Sequence, residues 1–204
     1  MRLDPFDGAA PSNWSNGKLK EVLDLKRISI KAGEDPSLPY MPIDSIPMKS
    51  FALEELRPNE EAKSSLIKFD KDDIIIGAMR VYFHRVILAP CSGITRTTCF
   101  VLSPKESEYL SFLLLLCNQD SSIAFAEKTS KGSTMPYAVW EGGLSEMEIL
   151  IPSYDIAKRF NDIALPILRR IQISYFEKKY LCELRDSLLP KLISGDIDVS
   201  EINI

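Results

Sequence analysis

Apolar residues recur mostly at steps of three and four along the last quarter of the chain, residues 155–193. An α-helix repeats every 3.6 residues, so this spacing places the apolar side chains in one stripe along a helix. The positions between them are mostly charged, which indicates a solvated opposite face. The stripe consists of Ile156, Phe160, Ile163, Ile167, Ile171, Tyr175, Leu181, Leu184, Leu188 and Leu192.

The predicted helix is longer than the core of one domain needs. At about 1.5 Å per residue it would reach roughly 60 Å. A single amphipathic helix of this length usually pairs with another, so we expect it to form a coiled coil. Pro166 has no backbone donor and should kink the helix, or split it near Leu165. Pro190 should end or bend it again, and Ser194 and Gly195 should stop it.

The preceding residues combine strand and helix signals. They predict a compact mixed α/β domain over residues 1–152, followed by the long helix within 153–204. The β-branched run 74–76 predicts a strand, and the apolar residues of 81–88 predict a second strand with polar side chains interleaved. Strands are also expected at 97–102, after a turn at 93–96, and at 147–151. Helices are expected at 105–118, which has a capping signal, and at 121–127.

The composition fits one domain with an appendage. The chain has 204 residues, of which 45% are hydrophobic and 26% charged. Its start lacks the apolar core of a signal peptide, and its longest apolar run, 109–117, is too short to span a bilayer. The four cysteines are scattered without a C-x-x-C pair, which favours reduced thiols over a zinc site. These features predict a cytoplasmic protein without a membrane partner.

The net charge of −4 is unusual for a nucleic-acid-binding protein. The charge is uneven, however, because residues 74–105 contain no acidic side chain. That segment carries Arg80, Arg85, Arg96 and Lys105 together with the only histidine, His84. A locally basic surface on an acidic chain is therefore compatible with the sequence.

Two motifs carry a resemblance to a known family. Residues 184–197 read L-R-D-S-L-L-P-K-L-I-S-G-D-I. This segment resembles the helical conserved region of the specificity subunits of type I restriction–modification systems. A second mark is the turn formed by Gly132, Ser133, Met135 and Pro136, which resembles a turn in the target recognition domains of that family.

The resemblance implies a DNA-recognition subunit with no chemistry, metal or cofactor of its own. Its expected partners are double-stranded DNA, the modification (methyltransferase) subunit and the restriction subunit. A usual specificity subunit has two recognition domains and two such helices, whereas this chain has one of each, as in a half-subunit. A homodimer would then read two inverted half-sites. The predicted contacts of the helix are Ile163, Ile167, Ile171, Tyr175, Leu181, Leu184, Leu188 and Leu192.

The candidate DNA contacts are polar residues on predicted strands and turns. Arginine suits guanine, and lysine suits phosphate. The candidates are Arg80, Tyr82, His84, Arg85, Thr95, Arg96, Lys128, Lys131 and Ser133.

Two other classes of function stay open. A coiled-coil scaffold without DNA affinity is favoured by the acidic composition and by the balanced charges of the helix. An enzyme is disfavoured, because the sequence D-P-S-L-P-Y at 35–40 lacks the adjacent prolines of an adenine methyltransferase motif and no glycine-rich nucleotide turn precedes it. Asp70, Asp72 and Asp73 fit a solvated turn better than a metal site.

Overall fold

The computed structural model describes residue 11, residues 13–63 and residues 65–197. The outer ends of the two predicted domains, 1–10 and 198–204, lie outside these residues. The described part has the mixed α/β architecture that the sequence predicts, with a long C-terminal helix. Its strands are β1 Ser15–Lys18, β2 Leu23–Lys26, β3 Ser29–Ile30, β4 Leu66–Phe69, β5 Ile74–Gly77, β6 Val86–Leu88, β7 Gly93–Arg96, β8 Cys99–Pro104 and β9 Glu148–Ile151. Its α-helices are α1 Leu19–Val22, α2 Leu110–Cys117, α3 Asp120–Lys128 and α4 Tyr154–Ile193.

A four-stranded antiparallel sheet with strand order β2-β8-β5-β6 forms the centre of the domain. Successive side chains of a strand point to opposite faces, so β5 supplies two cores. Ile74 and Ile76 pack in the cluster that contains α2, whereas Ile75 packs with Met41 and Phe69. A second sheet has the order β3-β4-β7, and β1 pairs with β9. The central sheet is thus covered on both faces, which explains its nearly continuous apolar sequence.

The helices α2 and α3 confirm the two predicted helices, although α2 begins at Leu110 instead of Lys105 and the predicted capping signal does not start it. A 3₁₀ turn at Ser107–Tyr109 leads into α2. Most α2 side chains are buried, so this helix is apolar almost all round, as expected of a core helix. Strand β9 confirms the strand that was expected immediately before the terminal helix.

Two predicted strands are wrong in detail. Residues 81–88 do not form one strand, because Val81–Phe83 is a 3₁₀ turn bounded by positive φ angles at Arg80 (51°) and His84 (54°). The predicted turn at 93–96 is strand β7, and the next strand begins at Cys99 instead of Thr97. The cause is tertiary, since β7 pairs along its length with the distant strand β4.

Helix α4 continues through Pro166 and Pro190, so the predicted split near Leu165 is wrong. Pro166 is exposed and costs one hydrogen bond in a helix of 40 residues, while packed side chains hold the turns on both sides. The helix ends at Ile193, and Gly195 follows with a φ of 78°. The predicted stop at Ser194 and Gly195 is therefore confirmed.

The first part of α4 docks on the domain through one face, which we call the docked face: Ala157, Asn161, Leu168, Gln172 and Tyr175. Ala157, Leu168 and Gln172 are buried. The Gln172 amide donates to the carbonyl of Leu88 (2.7 Å), and the Tyr175 hydroxyl accepts from the Leu56 amide (2.8 Å). The Ser111 hydroxyl donates to Asn161 Oδ1 (2.6 Å). These bonds fix the register in which the helix leaves the domain.

Candidate nucleic-acid interface

The loop 131–136 projects from the domain beside residues 79–83. Antiparallel bridges join Tyr137 to both Met79 and Lys131, and the Arg80 amide donates to the carbonyl of Pro136 (2.8 Å). Gly132 has a φ of 91°, and a Cβ there would lie 3.1 Å from the carbonyl oxygen of Met135. The tight turn therefore favours glycine. This pairing brings two candidate groups that are about fifty residues apart in the sequence onto one surface.

Several candidates are accessible on this surface. Lys131, Ser133, Arg80 and Tyr82 are all exposed. Lys128 is exposed at the end of α3, three residues before the loop. Together these residues give one face of the acidic chain a local positive charge, which a phosphate backbone would favour.

Arg96 lies on the same side of the domain. It is the last residue of β7 and is exposed. The next residue, Thr97, accepts a hydrogen bond at its carbonyl from the Tyr137 hydroxyl (2.6 Å). This bond ties the end of β7 to the base of loop 131–136, so Arg96 joins the candidate surface.

His84 and Thr95 do not fit the prediction that they contact DNA. His84 is only 5% exposed, and its Nε2 lies 2.8 Å from the Asn118 carbonyl oxygen. Thr95 is 0% exposed within β7. The error for His84 follows from the missing strand, because the 3₁₀ turn directs its ring inward. Both side chains are closed off by the domain itself.

Arg85 is also committed to the fold. Its guanidinium donates to the carbonyls of Ile43 (3.1 Å), Asp44 (3.2 Å) and Ile46. Its Cζ lies 5.9 Å from the centre of the Phe83 ring. Arg85 therefore anchors segment 43–46, and a DNA contact by this half-buried side chain stays a prediction.

A cleft on the other side of loop 131–136 adds residues that the sequence did not single out. It measures about 510 Å³, and Arg27, Thr97, Lys131, Tyr137 and Trp140 are among its lining residues. Burial raises the pKa of the Tyr137 phenol, which keeps its proton on the bond to Thr97. Arg27 lies 3.4 Å from Glu141, but both are well exposed, so this ion pair is weak. Because Arg27 is far from loop 131–136 in the sequence, the sequence gave no sign that Arg27 joins this surface.

The acidic turn after β4 does not resemble a metal centre. Lys26 Nζ lies 2.8 Å from carboxylate oxygens of both Asp70 and Asp73, and Arg169 pairs with Asp72 (2.7 Å). Burial raises the pKa of Asp73 despite the nearby lysine. Across residues 11, 13–63 and 65–197, no three His, Cys, Asp or Glu side chains are grouped as a metal would require. Within the same part of the chain, none of the helices has the length and apolarity to cross a bilayer.

The apolar stripe of α4 divides in the structure. Ile163, Ile167 and Leu181 are 70%, 61% and 60% exposed. Leu184, Leu188 and Leu192 are exposed as well. Tyr175 instead packs on the docked face, Ile171 is half-buried, and the role of both in a partner contact stays a prediction. We call Ile156, Phe160, Ile163, Ile167, Leu181, Leu184, Leu188 and Leu192 the exposed stripe.

Two curated proteins that are similar to this chain are specificity subunits of type I restriction enzymes. The chain is 30% identical over 94 residues to the specificity subunit of the type I restriction enzyme HindI from Haemophilus influenzae. The match covers 46% of this chain and 20% of that protein. The chain is 33% identical over 75 residues to the MjaIX specificity subunit of Methanocaldococcus jannaschii, covering 35% and 16%. No protein-family model matches the chain.

Solved structures share the fold. The HsdS subunit from Thermoanaerobacter tengcongensis superposes with a TM-score of 0.62 at 17% identity, covering 100% of this chain and 54% of that one. A chain from a structural study of type I R-M complex assembly gives 0.61 at 16%, covering 95% and 52%. The S subunit from M. genitalium gives 0.54 at 18%, covering 90% and 46%. The chain thus spans about half the length of these structures, and the predicted resemblance and fold class are confirmed.

Proposed function

We propose that this chain is the DNA-recognition half-subunit of a type I restriction–modification system. The observation that carries the proposal is the similarity of nearly the whole chain to about half of an HsdS subunit. It agrees with the sequence similarity to two curated specificity subunits. In this proposal, residues 1–152 read the target and the helix within 153–204 joins the partners.

The DNA-reading surface is loop 131–136 with its neighbours. Arg80, Tyr82 and Ser133 are the candidates for base contacts, because side chains of these types can reach base edges in a groove. Arg96, Lys128 and Lys131 are the candidates for phosphate contacts. Arg27 joins them from the neighbouring cleft. This surface is small, and the modification subunits would supply much of the remaining positive charge.

The exposed stripe of α4 is the proposed contact between subunits. Its side chains lie on the opposite side from the docked face or extend past the domain, so the domain itself does not cover them. Exposed leucines and isoleucines grouped on one side of a helix are typical of an interface. Two copies paired through α4 would form a homodimer that presents two recognition surfaces, with the modification subunit docking at the helix and its junctions.

The chain contributes recognition and no catalysis in this proposal. Methyl transfer would belong to the modification subunit and cleavage to the restriction subunit, in the cytoplasm where the DNA is. The charge network of Lys26, Asp70 and Asp73 is internally paired, which suits a structural role.

A coiled-coil scaffold without DNA affinity is the second candidate. The acidic net charge favours it. The exposed stripe fits both functions equally, so the difference lies in loop 131–136. A scaffold has no need for a basic, tightly turned loop braced by two hydrogen-bonded segments.

The test is co-expression with a type I modification subunit of the same system, followed by mapping of methylated adenines in the host genome. We expect a new bipartite motif, palindromic if the partner is a second copy and asymmetric if it is a different half. The control is the modification subunit expressed alone. If an assembled complex that binds S-adenosylmethionine adds no methylation, the recognition role is wrong and the scaffold is favoured.

A further inference from the structure

A small apolar notch opens on the side of loop 131–136 that faces residues 79–83. It measures about 310 Å³. Ile43, Met79, Phe83 and Met135 supply apolar surface, and Arg80 lies at its edge. Met135 is 58% exposed, although it stands in the middle of a polar, basic surface. Met135 and the exposed ring of Phe83 thus form a small apolar contact site within this basic surface.

The notch is held in shape by the fold. Arg85 donates to three carbonyls of segment 43–46, which fixes Ile43 in one wall. The bond from the Arg80 amide to the Pro136 carbonyl fixes the opposite wall next to Met135. Met135 has a flexible, polarizable side chain that can adapt to a small apolar group.

The charges around the notch favour a nucleic-acid occupant. Arg80 is exposed at its edge, and Lys131 lies four residues before Met135 on the same loop. The one carboxylate among the lining residues, Asp44, is 2.7 Å from Arg57, which offsets its charge. The site therefore suits an apolar group with anionic surroundings, as a base flanked by the phosphates of duplex DNA presents.

We propose that the notch receives the 5-methyl group of a thymine, so that the half-site read by this chain contains an A·T pair beside Arg80. The proposal rests on the DNA-recognition role. The thymine methyl is the apolar group that the bases of duplex DNA present in the major groove. Arg80 at the edge of the notch would then contact the neighbouring base pair or phosphate.

The test uses the complex with the modification subunit and duplexes of the mapped target. Each thymine is replaced in turn by deoxyuridine, which removes only the methyl group. Burying one methyl group corresponds to about three- to fivefold in affinity. We expect a loss of this size at one thymine in each half-site that this chain reads, measured as the dissociation constant, and little change at the other thymines.

The Met135→Ala variant makes the assignment specific. It should bind normal DNA more weakly and lose the difference between thymine and deoxyuridine at that position. The matched control is Met48→Ala, since Met48 is exposed to a similar degree but does not line the notch. That variant should keep the full difference.

The alternatives give distinct results. Specific binding with no effect of deoxyuridine at any position, or with the same effect in Met135→Ala, would overturn the methyl assignment and leave the recognition role intact. The absence of an A·T pair from the half-site that this chain reads would also overturn the methyl assignment. Weaker assembly of Met135→Ala with the modification subunit in the absence of DNA would assign the notch to a protein contact. Absence of specific DNA binding by the wild-type complex would overturn both proposals.

Discussion

The docked face of α4 is more polar than its exposed stripe. An amphipathic helix usually turns its apolar side toward its own domain. The docked face includes Asn161 and Gln172 and is held partly by hydrogen bonds to the domain. The exposed stripe is made of isoleucine, leucine and phenylalanine. The more apolar face of this helix therefore faces away from the domain.

This difference indicates that the two faces of α4 have different roles. A polar contact costs free energy if it is left unpaired, so the docked face specifies one register against the domain. An apolar stripe is less selective but favours association through the area that it buries. We infer that the docked face sets the geometry of each half and that the exposed stripe joins the halves.

The largest expected effect comes from placing charges in the exposed stripe. Leu181→Glu with Leu188→Glu should weaken self-association by roughly a hundredfold or more, because unpaired carboxylates would be buried at the helix contact. The unfolding midpoint of the domain should stay unchanged, since both residues lie beyond the docked part of α4. Sedimentation velocity measures the first effect and urea unfolding of the separated monomer the second.

The control for this pair is Lys179→Glu, which changes the net charge by the same two units outside the exposed stripe. It should associate like the wild type. A Leu181→Glu, Leu188→Glu variant that also associates like the wild type would mean that the stripe is not the contact.

A second prediction uses two adjacent residues with opposite roles. Leu168→Ala should lower the free energy of unfolding by about 2–4 kcal/mol, because Leu168 is buried between α4 and the domain. Ile167→Ala should leave the monomer almost as stable as the wild type and weaken association instead. Urea unfolding at a concentration where the chain is monomeric distinguishes them, and equal losses of stability in both variants would remove the distinction between the two faces.

The sequence predicted the existence of α4 well, because its apolar period is long and regular. It did not separate the two faces, since Tyr175 has the same spacing as the stripe although its hydroxyl bonds to Leu56. Periodicity reports which residues share a side of a helix. It does not report which side the domain covers.

The candidate surface was predictable only where the local signal was strong. Gly132 and Pro136 indicated the turn, and the turn is present with a positive φ at Gly132. His84 and Arg85 were placed by an assumed alternation of a strand that the structure replaces with a 3₁₀ turn. Arg27 joins the surface through a fold contact between distant segments, for which one sequence offers no signal.

A third prediction tests whether Tyr175 belongs to the docked face. Tyr175→Phe leaves the Leu56 amide without its hydroxyl acceptor, and a lost hydrogen bond of this kind costs about 1 kcal/mol. Self-association should be unchanged, because the ring keeps its volume. Urea unfolding and sedimentation of the same variant measure the two quantities, and weaker association with intact stability would return Tyr175 to the partner contacts.

The smallest expected effect is a dependence on pH that is confined to the domain. Lys18 and Lys20 hydrogen-bond the Glu146 carboxylate (2.7 and 2.6 Å) and lower its pKa to about 2. A carboxylate whose pKa is lower in the folded state stabilises the fold above its unfolded pKa, and this contribution is lost as the pH falls toward 2. Glu146→Gln should therefore have a slightly lower Tm than the wild type at pH 7, with the difference vanishing near pH 2.

The pH effect also separates the domain from the stripe. Glu146 lies in the 3₁₀ turn before β9, away from the exposed stripe, so Glu146→Gln should associate like the wild type at pH 7. Thermal unfolding monitored by circular dichroism at several pH values, at a concentration where the chain is monomeric, provides the measurement. A difference in Tm that persists unchanged to pH 2 would mean that the ion pairs of Glu146 do not cause it. The stabilisation would then come from the packing of the side chain, which titration does not alter.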